Sequence, residues 1–422
     1  GVGLGLVPNT GLPLPLVSYG RSCLVVIMAA VGILISIARA QPVVGGGLVN
    51  PGFQSTVAVF AGGGRGGHLY PALALADALS SLRPDVRVFF VGARRGVEAE
   101  ILPDRGVDHL LLPVQGLRRG RILENVAVVW ALVRSLIITG QLFSRLRPGV
   151  VVVTGGYAGG PAGLVAGLMG IPLALQEQNA HPGFTTRVLS RWARQVHLGF
   201  PEAGDHLRPG KGTEVHAHGN PIAPTDTGID PLEARARFGL GPDSTVLLVV
   251  GGSQGARAIN EALVSALERL GPDEGRHGSL EILWATGPKH IEGIRRALEP
   301  LGLGWVHTVG YIDEMPMALA CADLAISRAG AMGTAELLAW GIPSILVPLS
   351  TAAADHQTHN ARALEDAGAA VAIPEAEASP ERLWAEVEAL IGDPERQRDM
   401  QERARARARP DAAQKIADDL LR

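Results

Sequence analysis

Beyond residue 56 the chain alternates short, continuously apolar runs with longer stretches whose apolar positions recur at helical spacing. Runs at 57–60, 86–91, 150–153 and 172–176 read as buried strands. Residues 71–80, the surroundings of 97–102 and a stretch after Pro161 read as helices. Strands apolar on both faces, each followed by a helix, predict a parallel sheet covered on both sides. A Pro-rich break, Gly219-Asn-Pro-Ile-Ala-Pro224, interrupts this rhythm, which then restarts. Further strands are expected at 246–250, 282–285, 324–327 and 344–348, with a helix near 334–340. Asp393 and Pro394 suit the cap and first position of a charged helix over 393–409, whose Arg-Ala repeat reads as a solvated face. The fold class is therefore α/β, with two doubly wound units. Ligand loops at the carboxyl ends of their strands would line a cleft between them.

Composition supports a large core: 47% of the 422 residues are hydrophobic, so the 54 glycines read as turns and ligand loops rather than disorder. A formal net charge of -3 argues against nucleic acid as the partner. Cys23 and Cys321 form no disulfide framework, and reduced thiols are expected. The first residue is Gly1 rather than Met, as in a fragment or a processed product. An uncharged apolar stretch over 22–38, between Arg21 and Arg39, approaches the roughly 17-residue minimum for a membrane-spanning helix. It is read as spanning or membrane-buried; the other reading is a buried helix of a soluble protein. Residues 41–55 are a Gly/Pro linker. Gly116-Leu-Arg-Arg-Gly-Arg121 precedes an apolar helix over 126–143 that contains Trp130. A basic rim beside an apolar face suits anionic headgroups, and an ordinary buried helix with a charged start fits equally well.

Four small-residue loops follow strands and open helices. Ala61-Gly-Gly-Gly-Arg-Gly-Gly-His68 satisfies a dinucleotide fingerprint formally, yet the second strand ends Val91-Gly-Ala-Arg-Arg95 without the carboxylate a ribose would need, which disfavours a nicotinamide enzyme. Its amides, among them those of Arg65, Gly66 and Gly67, can approach a phosphate. His68 suits a general base, an imidazole titrating near 6.5, or else a capping or packing role. Thr154-Gly-Gly-Tyr-Ala-Gly-Gly-Pro161 places Gly155, Gly156 and Tyr157 where glycines allow close approach to a ligand, or simply a tight turn. In Gly251-Gly-Ser-Gln-Gly255, Ser253 can donate to a phosphate oxygen. In Ser327-Arg-Ala-Gly-Ala-Met-Gly-Thr-Ala-Glu336, the residues Ala331, Met332, Gly333, Thr334 and Ala335 form a cradle for a diphosphate. Glu336 can accept from ribose hydroxyls, or serve only as a carboxylate on the helix dipole.

In Asp355-His-Gln-Thr-His-Asn360, Gln357 can pair with sugar hydroxyls through both amide ends. His356 with His359, and His216 with His218, invite a metal, but neither pair has a third and fourth ligand at zinc spacing. The absence of an Asp-x-Asp triplet removes an obvious carboxylate site for a divalent ion, so no metal and no tightly bound cofactor are expected. Helix ends and side chains would then neutralise a leaving group.

Taken in order, the motifs at 63–68, 155–161, 176–179, 219–221, 251–256, 311–315, 328–336 and 355–360 resemble the MurG family of bacterial glycosyltransferases, over about residues 56–422. The resemblance implies the two-domain GT-B fold, with an acceptor-binding domain over 56–222 and a UDP-N-acetylglucosamine-binding domain over 223–422 whose final helix can cross back. It implies inverting transfer of N-acetylglucosamine to the lipid-linked acceptor lipid I, giving lipid II in peptidoglycan biosynthesis at the cytoplasmic face of the membrane. Implied partners are UDP-N-acetylglucosamine, lipid I, the membrane surface, and division or cell-wall synthesis proteins. The Ile312 backbone would meet uracil, Glu336 the ribose, Ser253 and 331–334 the diphosphate, and Gln357 the sugar. His68, Glu177 and Asn179 would form the reacting centre. Three positions depart from the family pattern: Arg65 stands for Thr, Gln176 for His, and Ala223 for Arg. Residues 1–40, with Gly11-Leu-Pro-Leu-Pro-Leu-Val-Ser-Tyr-Gly20, resemble instead the carboxyl-terminal end of FtsW, a membrane glycan polymerase of cell division. Another UDP-sugar enzyme of the same fold, such as a transferase or a UDP-N-acetylglucosamine epimerase, and a non-catalytic membrane adaptor are the alternative readings.

Overall fold

A computed structural model describes residues 57–64, 66–114, 122–226, 228–252, 255–274 and 279–422. The apolar stretch at 22–38, the linker, Arg65, the arginines of 116–121 and Ser253 lie outside the described residues.

The first unit runs β1 (Val57–Gly63), α1 (Gly66–Leu82), β2 (Arg87–Ala93), α2 (Glu98–Asp104), β3 (His109–Leu112), α3 (Ile122–Leu146), β4 (Val150–Gly155), α4 (Gly156–Met169), β5 (Leu173–Glu177), α5 (Phe184–Leu189), β6 (Gln195–Leu198) and β7 (Glu214–His216). Its seven strands are parallel in the order β3-β2-β1-β4-β5-β6-β7. The central strands β1 and β4 are buried throughout, which is why they read as unbroken apolar runs. The edge strand β3, His-Leu-Leu-Leu, is only half covered, and no strand was expected from so short a run.

The second unit runs α6 (Pro231–Arg237), β8 (Thr245–Val250), α7 (Arg257–Glu274), β9 (Leu280–Ala285), α8 (Ile291–Leu298), β10 (Val306–Val309), α9 (Met315–Cys321), β11 (Leu324–Ser327), α10 (Ala331–Trp340), β12 (Ser344–Leu346), α11 (His356–Asp366), β13 (Ala370–Ala372), α12 (Pro380–Ile391), α13 (Pro394–Arg407) and α14 (Ala412–Leu420). Its six parallel strands take the order β10-β9-β8-β11-β12-β13. Asp393 caps α13 by accepting from Arg396 N at 2.9 Å.

The final helix returns to the first unit. Ile416, Ala417 and Leu420 of α14 are buried among Leu69, Leu73 and Ala76 of α1. Gln195 Nε2 of β6 donates to Asp419 O at 2.8 Å. A second tie runs through Asn360 of α11, which accepts from Ala180 N at 2.8 Å and donates to Asn179 Oδ1 at 3.2 Å. A third runs through Asn220, which donates to Ala331 O at 3.3 Å. These contacts accompany a packing of α10 against α1, one helix from each unit.

Helix α3 carries a 20-residue segment, Ala127–Leu146, that is long and apolar enough to cross a membrane. One of its faces, however, packs Val133, Leu136 and Phe143 into the core shared with α4, while Trp130 is 71% exposed. The helix after β4 opens at Gly156 rather than after Pro161. The glycines that read as an extended loop are helical, and Pro161 lies inside the helix.

Candidate active site

The site begins with the way β1 and β4 end. Gly63 and Gly156 bridge, and a Cβ on Gly156 would meet Gly63 O at 1.9 Å. Gly155 and Gly156 both hold positive φ, 106° and 74°, and a Cβ on Gly155 would lie 2.8 Å from His68 Nδ1. The close approach that these glycines make within the protein is thus to the first glycine loop and to His68. Tyr157, 54% exposed, packs its ring beside Gly64.

Glu98 organises the same region. Its Oε1 accepts from Gly64 N at 2.7 Å and Ala93 N at 2.8 Å, and a Cβ on Gly63, Gly92 or Gly96 would strike its side chain. A carboxylate therefore does reach the first glycine loop, although none stands within the strand-end motif. It is bound to the loop's own amides and is completely buried. Sequence reasoning missed Glu98 because it lies in the next helix.

His68 sits in the first turn of α1. Its Nδ1 lies 2.9 Å from Thr154 O and 3.1 Å from Gln178 Oε1. A carbonyl oxygen only accepts, so Nδ1 carries the proton and Nε2 keeps its lone pair. Thr154 Oγ1 donates back to His68 O at 2.7 Å. Gln178 is held in turn, its Nε2 donating to Thr154 O at 2.8 Å and Gln176 O at 3.0 Å. Gln176, the departure from the family pattern, is buried and donates to Asn220 Oδ1 at 3.2 Å. Gln178 was quoted within the 176–179 motif but given no role there; its partners lie far away along the chain.

Glu177, expected among the catalytic residues, is engaged with the loop that follows it. Its Oε1 accepts from Asn179 N and Nδ2, both at 3.2 Å, its Oε2 accepts from Gly183 N at 3.0 Å, and it is 3% exposed. Both oxygens shape the loop that presents Asn179. Asn179 itself is half-buried between Glu177 and Asn360, at the junction of the units.

On the other side of the cleft, α10 opens after Gly330. The amides of Ala331, Met332 and Gly333 make no hydrogen bond among the described residues, whereas Thr334 N already bonds Gly330 O at 2.9 Å. Thr334 Oγ1 is engaged with Gly330 O and Ala331 O, at 3.0 and 3.1 Å, and the residue is 1% exposed. The anion cradle thus comprises 331–333, without Thr334. Ala335 turns away and lines a separate crevice of about 330 Å³ with Asn220, Arg403 and Arg407. Arg328, at the start of the motif, fastens the loop: it donates to Val347 O at 3.0 Å and pairs with Glu375 at 2.5 Å.

Glu336 lies in the second turn of α10, beyond the first-turn position of a dipole carboxylate. Burial, with no hydrogen-bond partner among the described residues, raises its carboxyl to about 7. The backbone N–H and C=O of the buried Ile312 are likewise without partners among the described residues. Beside it, burial and then the negative potential of Tyr70, Asp313 and Glu336 raise the Tyr311 phenol, so residues of both units share one electrostatic environment.

Gln357 Oε1 accepts from Leu349 N at 2.9 Å, which fixes the amide while its NH₂ and the second lone pair of the oxygen remain for a sugar. Just before it, Ala354 and Asp355 hold φ of 52° and 53°, a left-handed strain that non-glycine residues rarely carry.

Comparisons agree with this geometry. Residues 58–198 match the glycosyltransferase family 28 N-terminal domain and 246–416 its C-terminal domain, while residues 1–42 match the cell cycle protein family. A UDP-N-acetylglucosamine–N-acetylmuramyl-(pentapeptide) pyrophosphoryl-undecaprenol N-acetylglucosamine transferase of Desulfitobacterium hafniense is 40% identical over 85% of this chain and 96% of its own length. The enzyme of the same name from Salinibacter ruber is 42% identical over 85% and 95%. The crystal structure of Acinetobacter baumannii MurG superposes with a TM-score of 0.69 at 29% identity, covering 86% and 98% of the two chains. A UDP-GlcNAc 2-epimerase from Neisseria meningitidis, bound to UDP-GlcNAc, shares the fold alone, at 15% identity and a TM-score of 0.59. With two GT-B units, both family 28 domains and relatives at this level of identity along nearly their whole length, the chain belongs to the UDP-N-acetylglucosamine–N-acetylmuramyl-(pentapeptide) pyrophosphoryl-undecaprenol N-acetylglucosamine transferases of glycosyltransferase family 28.

Proposed function

We propose that this chain transfers N-acetylglucosamine from UDP-N-acetylglucosamine to the C4 hydroxyl of the N-acetylmuramyl unit of lipid I, with inversion, and so makes lipid II. The observation that carries the mechanism is the imidazole of His68, held by Thr154 O and Gln178 Oε1 through Nδ1 with Nε2 left basic. In this reading Nε2 takes the proton of the acceptor hydroxyl as its oxygen attacks the anomeric carbon. The bond to the UDP oxygen breaks on the opposite face, giving a β linkage from an α donor. The unbonded amides of Ala331, Met332 and Gly333, at the positive end of α10, meet the departing diphosphate. Glu336 accepts from the ribose, the Ile312 backbone pairs with the uracil edge, and the Gln357 NH₂ meets the sugar. Ser253, Arg65, Gly66 and Gly67 add donors from the other loops. The helix-end cradle and the lack of an Asp-x-Asp motif support transfer that needs no divalent ion, which a chelator would leave at full rate.

The chain acts at a membrane in this reading. Trp130 is exposed on an apolar helix, and Arg118, Arg119 and Arg121 precede that helix in the sequence, which suits peripheral attachment; residues 22–38 suit an anchor. Division and cell-wall synthesis proteins are its proposed partners.

Incubation of labelled UDP-N-acetylglucosamine with a lipid I analogue tests the reaction. A β-linked disaccharide product supports it. Release of the free epimer indicates an epimerase, and unchanged substrate from a folded protein indicates an adaptor; either contradicts the proposal.

A further inference from the structure

A group of imidazoles stands apart from the cleft. In the parallel pairing of β6 with β7, His197 is directly opposite His216, so both side chains leave the same face of the sheet. His218, two residues further on, joins them. The three rings stack, with centroids 5.7 Å apart for His197 and His216, 5.6 Å for His197 and His218, and 5.1 Å for His216 and His218. The returning helix α14 brings Asp419 onto this face. Its Oδ2 lies 2.7 Å from His218 Nε2 and 3.9 Å from His216 Nε2. Ligand atoms of His197, His218 and Asp419 all fall within 4.8 Å of one another.

Two features separate this group from ordinary surface histidines. His197 is fully buried; among the described residues its Nδ1 has no hydrogen-bond partner, and its Nε2 makes only a long contact of 3.4 Å with Gln195. A buried nitrogen without a partner is rare in native proteins and calls for a ligand or another explanation. Moreover, Asp419 is fixed on the outer side by Arg422, at 3.1 Å from Oδ1, and through its own carbonyl by Gln195. A ligating carboxylate so held, by a second set of contacts, is what metal sites use to orient their ligands.

We propose that His197, His216, His218 and Asp419 bind a divalent transition metal of the zinc class, which fastens the returning carboxyl-terminal helix to the edge of the first sheet. Three imidazoles and one carboxylate supply the four ligands of a closed zinc site, and the absence of thiolates admits cobalt and nickel as well. Tetrahedral coordination at about 2.0–2.2 Å places ligand atoms roughly 3.3–3.5 Å apart; His197, His218 and Asp419 must contract by about an ångström, and His216, which lies outside that group of three and contacts Glu214 at 3.4 Å, must rotate in to complete the set. The proton shared by His218 Nε2 and Asp419 Oδ2 leaves when the metal enters between them. The ligands come from β6, from β7 and the residues after it, and from α14, more than two hundred residues beyond β6. The metal therefore joins the first unit to the chain's end without touching the donor or acceptor residues.

The test uses the full chain without a polyhistidine tag, stripped with a chelator and titrated with Co²⁺ and then Zn²⁺. The expected result is one equivalent of Co²⁺ per chain, visible as ligand-field absorption of low-symmetry coordination, displaced by Zn²⁺, with a rise in Tm that depends on metal concentration. His218→Ala and Asp419→Asn should each weaken binding by more than about 100-fold, beyond what orienting partners alone contribute. Should either variant fail to fold, His216→Ala, at a half-exposed position, should still weaken binding and remove the metal-dependent rise in Tm. His206→Ala, in the separate cluster with His181 and His359, should change neither. Substoichiometric binding by folded wild-type protein, binding untouched by His218→Ala or His216→Ala, or loss of binding in His206→Ala would overturn the proposal.

Discussion

The two units share one architecture, yet the paired loops after β1 and β4 of the first and the loop after β11 of the second use small residues in opposite ways. In the first unit the glycines admit protein. Gly156 lies against Gly63, Gly155 against His68, and Gly63, Gly92 and Gly96 against the Glu98 side chain. In the loop after β11, a Cβ added to Gly330 or Gly333 would meet nothing within 4 Å, and neither the amides of 331–333 nor the half-buried Glu336 has a partner among the described residues, whereas Gly251 and Gly255 after β8 pack against protein. One side is therefore closed on itself so that an imidazole is held in a defined tautomer. The other leaves donors and an acceptor free for a ligand. A base needs orientation and a leaving group needs unsatisfied dipoles, so the same strand–loop–helix unit has been filled differently for each.

Substitutions that add one methyl group break this comparison most sharply. Gly156→Ala puts a Cβ into Gly63 O at a left-handed φ of 74°, and we expect a loss of roughly 2–6 kcal/mol, the overpacking and backbone costs together. Gly333→Ala, in open space on a helix, should instead gain up to about 1 kcal/mol while raising the donor KM, because its methyl enters the cradle. Chemical denaturation and donor titration of both proteins check the pair. Equal stabilities would remove the distinction between the two glycine loops.

A smaller effect is expected from Glu336. Its folded pKa of about 7 lies above the ordinary 4.5, so the protein favours the protonated form. The contribution of this group to stability is present in full below about 4.5 and is lost as pH rises through about 7. Ribose hydroxyls donate to the ionised form, so donor affinity should rise with pH across that range. Glu336→Gln should flatten the dependence, as donor binding measured by calorimetry between pH 5.5 and 8.5 would reveal. An unchanged slope would mean that Glu336 does not meet the donor.

The smallest effect concerns the exchanged arginines. Arg65 stands where the family has Thr, and Ala223 where it has Arg. If the first guanidinium replaces the second on phosphate, Arg65→Thr weakens substrate use a few-fold and Arg65→Thr with Ala223→Arg restores it. Additive losses in the kcat/KM of the double variant would exclude compensation.

Much of this arrangement could be read from the chain because it is local. Buried parallel strands read as continuous apolar runs, and small residues between a strand and a helix mark the loops, so the α/β class and the loops that carry His68 and Glu336 followed from neighbouring residues, whereas Ile312 was singled out only through the family resemblance. The contacts that were not legible join distant segments. Glu98 reaches Gly64, Gln178 reaches His68, and Asn360 reaches Ala180, each across 34 to 180 positions of sequence. Polar side chains of this kind carry no periodic signal, since their partners are chosen by the fold. At Gly155–Gly156 and at Glu177, residue types suited to a ligand also make contacts within the protein that the sequence did not show, to His68, Gly63 and the amides of Asn179 and Gly183. His216 and His218 were visible as a pair, but their partners His197 and Asp419 arrive from another strand and from the last helix.

The account rests most directly on His68, and single-turnover kinetics of His68→Ala with saturating lipid I analogue, alongside donor affinity on the same protein, tests it. Loss of the base should slow transfer by roughly 10²–10⁴-fold with the donor Kd unchanged, since the imidazole acts only on the acceptor hydroxyl. A variant that transfers sugar at the wild-type rate, or one whose slowness is wholly restored by more donor, would contradict it.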